Sequence, residues 1–295
     1  MSDDRPLRLA YLSYRSKPTV GGQGIYTRHL TKAMVDLGHH VEVISGQPYP
    51  VLDDRIPLTK LPSLDIFNDA YPGRFPAYWE FKDLPDVMEA LQFSTGAFSE
   101  PLSFTLRALR ELKPRTAEFD IVHDNQSLGY GMLGINKILP VLTTLHHPIT
   151  VDRRLELAAA PDWRKRWSLR RWYSFVEMQG RVARRMPRIV VVSENSIDDI
   201  HNDMGVDRKN MRLVHVGVDP DLFKPSPLVR RTPNQLITTA SADAEMKGLK
   251  FLLEAMAKLR AEGRDIKLTL IGRAKPGGPS DKLIKNLNLA PHITF

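Results

Sequence analysis

Val191–Pro225 reads VVSENSIDDIHNDMGVDRKNMRLVHVGVDPDLFKP. It opens in an apolar run, Arg188–Val192, of the length and composition of a buried strand. Ser196-Ile-Asp-Asp199 has the form of a capping box and predicts a helix start. Met211–Val216 is a second apolar run. Beyond Gly217 the periodicity stops. Pro220, Pro225, Pro227 and Pro233 follow within a short distance, and the stretch to Pro233 reads as an interdomain linker. Strand, helix, strand and then linker, in that order, point to an α/β domain closing and another beginning.

Both flanks continue the pattern. Leu7–Ser13 is a continuous apolar run, as expected of a parallel strand buried on both faces. Tyr14–Gly24 is a loop holding Gly21, Gly22 and Gly24. Tyr26, Leu30, Ala33/Met34 and Leu37 then recur at helical spacing and stop at Gly38. Val41–Ser45, Asp120–His123 and Val141–Leu145 are further β-type runs, and Pro101–Leu112 has a helical pattern. Gly46–Gly96, rich in proline and aromatics, shows no clear period. Past the linker, Gln235–Thr239 and Ile266–Ile271 read as strands. Leu249, Leu252, Leu253, Met256 and Leu259 form a helix face closed by Gly263. Asp281–Leu287 is a short helix, and His292–Phe295 the start of a third strand. Alternation in both halves predicts two doubly wound parallel sheets. The expected domains are 1–218, a linker over 219–234, and 235–295, the last with too few βα units for an ordinary domain of this kind.

The 295 residues are 42% apolar and 26% charged, as in soluble globular proteins, with no cysteine. Disulfides, thiolate metal sites and a cysteine nucleophile are therefore excluded, and a reducing compartment fits. No run of 18 uncharged apolar residues occurs, and the N-terminal apolar run is too short for a signal peptide core. The expected address is cytoplasmic. The net charge of +8 is concentrated: Arg153–Arg188 holds eleven basic residues against three acidic ones, with Trp163, Trp167 and Trp172 among them. Such a stretch suits peripheral contact with an anionic membrane face, or else is a solvated helix whose tryptophans pack inward. No nucleic-acid motif accompanies it, and none is expected.

Three groups of residues could carry chemistry. Gly21-Gly22-Gln23-Gly24, between the first strand and first helix, would let backbone amides approach a phosphate or sugar, with the helix N-terminus favouring negative charge. The alternative is a loop that simply needs positive φ, and the spacing is not the dinucleotide G-x-G-x-x-G. His146 ends the strand Val141–Leu145, where open α/β sheets present their ligand crevice. A neutral imidazole there could accept a sugar hydroxyl or shift a proton. The alternative is a hydrogen-bonding loop histidine. Lys247-Gly248, before the first helix of the second half, would grip a diphosphate or else form an exposed charged turn. The nine histidines are scattered, without metal-ligand spacing, and neither a P-loop nor a G-x-S-x-G is present.

Three stretches carry a family resemblance: Gly21–Ser45 (GGQGIYTRHLTKAMVDLGHHVEVIS), Val191–Pro225, and the KG–LLEA–LR pattern within Thr238–Arg260. They resemble the GT-B retaining glycosyltransferases of family 4. The resemblance implies two Rossmann-like domains with a cleft between them, and a nucleotide-diphosphate sugar held mainly by the C-terminal one. It implies transfer to a glycan, lipid-linked or small-molecule acceptor with retention of anomeric configuration, without a metal or other cofactor. It places His146 near the reacting sugar as the catalytic candidate, and Gly22 and Lys247 on the donor; Gly21, Gly248 and Arg273 are further donor-side candidates. Lys247 would neutralise the leaving diphosphate, where charge grows in the transition state. Gln23, Asn125 and Gln126 are acceptor-side candidates. Two departures stand out. The family's Gly-Arg ahead of the lysine is Ser241-Ala242 here, with Arg273 a candidate substitute. Its Glu-x7-Glu element would fall beyond Phe295. The expectation is therefore a truncated chain with little activity of its own, the alternative being a noncatalytic acceptor-binding or regulatory module. An oxidoreductase is disfavoured by the missing fingerprint.

Overall fold

The structure, a computed structural model, describes residues 5–19, 22–68, 70–71, 73–239, 248–272 and 274–295. The chain divides into two compact units, Met1–Gly217 and Val218–Phe295.

The first unit opens with β1 (Arg8–Ser13), α1 (Gly22–Asp36), β2 (His40–Ser45), β3 (Leu58–Lys60), α2 (Leu84–Ser94) and α3 (Glu100–Leu112). It continues through β4 (Ile121–Asn125), α4 (Gly131–Ile135), β5 (Val141–Leu145), α5 (Thr150–Ala159), α6 (Trp163–Trp172) and α7 (Ser174–Ala183). It closes with β6 (Arg188–Val191), α8 (Glu194–Met204) and β7 (Met211–Leu213). Its sheet runs β3-β2-β1-β4-β5-β6-β7, with every pair parallel. The apolar run of β1 is buried on both faces. Ala10 and Leu12 join the larger core with Phe104, Val122 and Met132, whereas Leu9 and Tyr11 pack with Val41, Val43 and Ile56 on the other side. A fully buried aliphatic side chain contributes about 2 kcal/mol, so both layers anchor the central strands.

The second unit holds β8 (Gln235–Thr239), α9 (Leu249–Ala261), β9 (Lys267–Ile271), α10 (Pro279–Asn286) and β10 (Ile293–Thr294). Its parallel sheet runs β10-β9-β8. Leu249, Leu253, Met256, Leu268, Leu270 and Ile284 are its core. The α/β class is as expected from the alternation.

The structure moves some boundaries. The glycine-bearing loop is shorter than its pattern suggested, because α1 already begins at Gly22. The helix after β6 is capped by Ser193, not Ser196: the Ser193 side chain accepts from the Ser196 amide and α8 starts at Glu194. Ser193 and Ser196 are both three residues ahead of a possible partner, so the pattern left the start ambiguous. Gly46–Gly96 contains β3, a short 3-10 turn at Tyr78–Glu80, and α2. Arg153–Arg188 is broken into α5, α6 and α7 rather than one helix. Among the described residues, no helix is long and apolar enough to cross a membrane.

Candidate functional site

The strand order reverses between β1 and β4, since β2 and β3 lie to one side and β5 to β7 to the other. Open parallel sheets bind ligands outside the carboxyl ends of their strands at such a switch point. Here those ends deliver Ser13 from β1, Asn125 from β4 and, just past β5, His146.

The chain after β4 turns sharply, with Gln126 and Leu128 at φ of 57° and 48°. Asp124, fully buried, holds this turn. Its carboxylate accepts from the amides of Ser127 and Leu128, each at 3.2 Å, and from the Ser127 hydroxyl. Burial pushes the Asp124 carboxyl up to about 6 despite these donors. The turn aims the Gln126 side chain at the segment following β5. Its Oε1 accepts from the His146 amide at 2.8 Å, and its Nε2 donates to the His147 carbonyl at 3.1 Å. Ser196 donates to the His146 carbonyl at 3.1 Å, so the backbone of His146 is held from both sides.

The imidazole is oriented by a chain with one direction. Thr27 Oγ1 donates to the Gln23 carbonyl at 2.8 Å and so accepts from Asn125 Nδ2 at 3.2 Å. That leaves Asn125 Oδ1 facing His146 Nε2 at 2.8 Å, as acceptor of its N–H. An acceptor at Nε2 selects the tautomer with its lone pair on Nδ1. The Tyr26 ring stands edge-on to the imidazole, 4.6 Å away and perpendicular. Burial, with His147 nearby, lowers the His146 pKa to about 4. At neutral pH the imidazole is therefore uncharged.

Gly22 begins α1, exposed and with nothing near a would-be Cβ, while Gly24 is pressed against the Lys17 carbonyl. The two glycines thus serve different needs: one leaves room, the other permits close chain packing. Gln23 is half-buried beside them. Asn125 and Gln126, the acceptor-side candidates, are buried, with their side-chain amides bonded to Thr27, His146 and His147. Gly248 caps α9 at φ 70°, a left-handed value that favours glycine. Gly21, Lys247 and Arg273 lie outside the described residues, as do Ser241 and Ala242. Among the described residues, no cluster of histidine and carboxylates could hold a metal ion.

His123 escaped the sequence reading because it sits inside an apolar strand. It is buried, meets Thr144 Oγ1 through Nε2 at 2.7 Å, and has the Tyr11 ring 4.9 Å away. Burial lowers it to about 4 as well.

Comparison with known proteins gives the class. Residues 20–222 match Glycosyltransferase Family 4, and the chain belongs to that family, with the GT-B fold. It is 49% identical over 286 residues to the MMP alpha-(1->4)-mannosyltransferase of Mycolicibacterium hassiacum, covering 96% of this chain and 69% of that protein. Among solved structures it resembles WaaG, a glycosyltransferase involved in lipopolysaccharide biosynthesis (TM-score 0.61, 15% identity, 97% of this chain and 69% of that one). It also resembles Anabaena Alr3699/HepE in complex with UDP and glucose (TM-score 0.59, 14% identity, 98% and 68%). Those two likenesses speak to the fold.

Proposed function

We propose that this chain belongs to a retaining α-(1→4)-mannosyltransferase, which moves mannose from a nucleotide-diphosphate sugar to a hydroxyl of a glycan acceptor. The observation that carries the reading is the 49% identity to a mannosyltransferase across almost the whole chain. An α-linked product formed from an α-linked sugar diphosphate corresponds to retention. In this reading His146 Nδ1 accepts a hydroxyl of the transferred sugar, which orients the anomeric carbon. Gly22 leaves the start of α1 open to the donor, which Gly21 would also contact, and Gln23 is assigned to the acceptor. Lys247, Gly248 and Arg273 take the diphosphate, so that no metal or cofactor is required to stabilise the leaving group. The whole would work in the cytoplasm.

The test is transfer from nucleotide-diphosphate mannose to a short mannoside, with product linkage and anomeric configuration read by NMR. Mannose joined α-(1→4) is expected. A β-linked product, or glucose transferred in preference to mannose, would sink the proposal. His146→Ala should lower kcat about 100-fold, the scale of one well-placed hydrogen-bonding group, with little change in Tm.

A further inference from the structure

The helix α2 is built inside out. Its polar residues Asp86 and Glu89 are buried, both paired with the buried Arg107 of α3. Its apolar residues Leu84, Val87 and Leu91, spaced three and four apart on one stripe, face solvent at 69%, 41% and 62% exposure. A surface helix ordinarily does the reverse.

The neighbouring helix α6 is unusual in another way. Leu169 is buried and Trp172 packs on Phe67 and Phe98, which seats the helix. The opposite arc carries Trp163, Arg166, Trp167 and Arg170, with Arg164 beside it. Trp163 and Trp167 are 73% and 63% exposed. Arg153, Arg154 and Arg181 on the flanking helices have carboxylate partners. Among the described residues, Arg164, Lys165, Arg166 and Arg170 have none; Arg164 only lies over the Trp163 ring. The two helices are joined where Arg171 Nη2 donates to Thr95 Oγ1, just past α2, at 2.5 Å. Exposed Tyr71, Phe75, Tyr78 and Trp79 precede α2 on the chain.

From this juxtaposition, an outward apolar stripe on α2 beside unpaired cations and two exposed indoles on α6, we infer that this face docks onto an anionic lipid bilayer surface. Cations without carboxylates seek an anionic partner. Indoles favour the level of lipid headgroups, and arginine can cover apolar surface while its head stays wet. The aliphatic stripe decides between partners. Leu84, Val87 and Leu91 suit acyl chains, whereas a nucleic acid would need aromatic platforms alone. The site is narrower than the Arg153–Arg188 window, since Arg153, Arg154 and Arg181 are paired with carboxylates and the exposed tryptophans lie on α6, and it is independent of the sugar-transfer reading.

Co-sedimentation with phosphatidylcholine vesicles, with and without phosphatidylglycerol, tests it. Binding is expected only with phosphatidylglycerol, falling as salt rises, with a blue shift of tryptophan emission. Each cation near an anionic leaflet is worth about fivefold in partitioning. Replacing Arg164, Lys165, Arg166 and Arg170 by Gln should therefore weaken binding by roughly two orders of magnitude or more. Leu84→Ser with Leu91→Ser should also weaken it, and Trp163→Phe with Trp167→Phe should reduce the blue shift, Trp79 and Trp172 remaining. The inference fails if the unaltered chain stays in the supernatant with phosphatidylglycerol vesicles at low salt, or if the substituted chains bind as it does. It also fails if a single-stranded oligonucleotide is held more tightly than the vesicles, or if the apolar stripe drives self-association in place of vesicle binding.

Discussion

His146 and His123 are both held neutral by burial, and each titrates near 4 instead of the usual 6.5. Neither ring should take up a proton between pH 7 and 5.5, which imidazole NMR would show directly. Their folded pKa values lie below the unfolded ones, so between about 6.5 and 4 the unfolded chain binds more protons, and acid costs stability. Asp124 runs the other way. Its raised carboxyl contributes stability below its unfolded value near 4, lost as pH rises through about 6. Burial raises Glu100 to about 7 and so acts in the same direction as Asp124; two carboxyls then oppose two histidines, and stability read from denaturant unfolding should change by about 1 kcal/mol or less between pH 7 and 5. Asn125→Asp would set a carboxylate against His146 Nε2 and should raise that imidazole by about two units. A ring still titrating near 4 would contradict the contact between residue 125 and His146 Nε2.

The helices α2 and α3 meet over charge rather than hydrocarbon. Arg107 Nη2 donates to Glu89 at 2.8 Å and also to Asp86, with all three side chains buried. Burial raises the Glu89 pKa even beside the guanidinium. Removing the cation leaves two carboxylates with no counter-charge, so Arg107→Leu should cost about 3–5 kcal/mol in chemical denaturation. Glu89→Gln, which keeps the shape and leaves Asp86 on the arginine, should cost far less. Equal losses would mean that shape, not charge, matters at this contact. Close approach matters between α3 and α4: a Cβ on Gly131 would strike the Thr105 backbone, so no larger residue fits without moving a helix.

The two units differ in how much core they own. The larger has apolar clusters on both faces of seven strands, while the smaller, among the described residues, has eight buried apolar ones around three. A chain ending at Gly217 should therefore unfold cooperatively and keep the low His146 pKa. Loss of its thermal transition would show that the larger unit depends on the rest. Elements such as β1, β5, β8 and α3 were legible from the residues because period-two and period-3.6 patterns, with glycine and proline stops, are local. His146 was legible for the same reason: it ends a strand that its own neighbours define. The family was legible from the 191–225 block, whose spacing survives as a linear pattern. Strand order, and with it the switch point, was not, because β1 pairs with β4 more than a hundred residues away in sequence. Nor was the part played by Asn125, whose meaning rests on Thr27, 98 residues distant. Leu84, Val87 and Leu91 show the limit most clearly. Their spacing says which face of a helix is apolar, but only packing against Arg107 says that this face turns outward, because a stripe has no inside until another element covers one side of it.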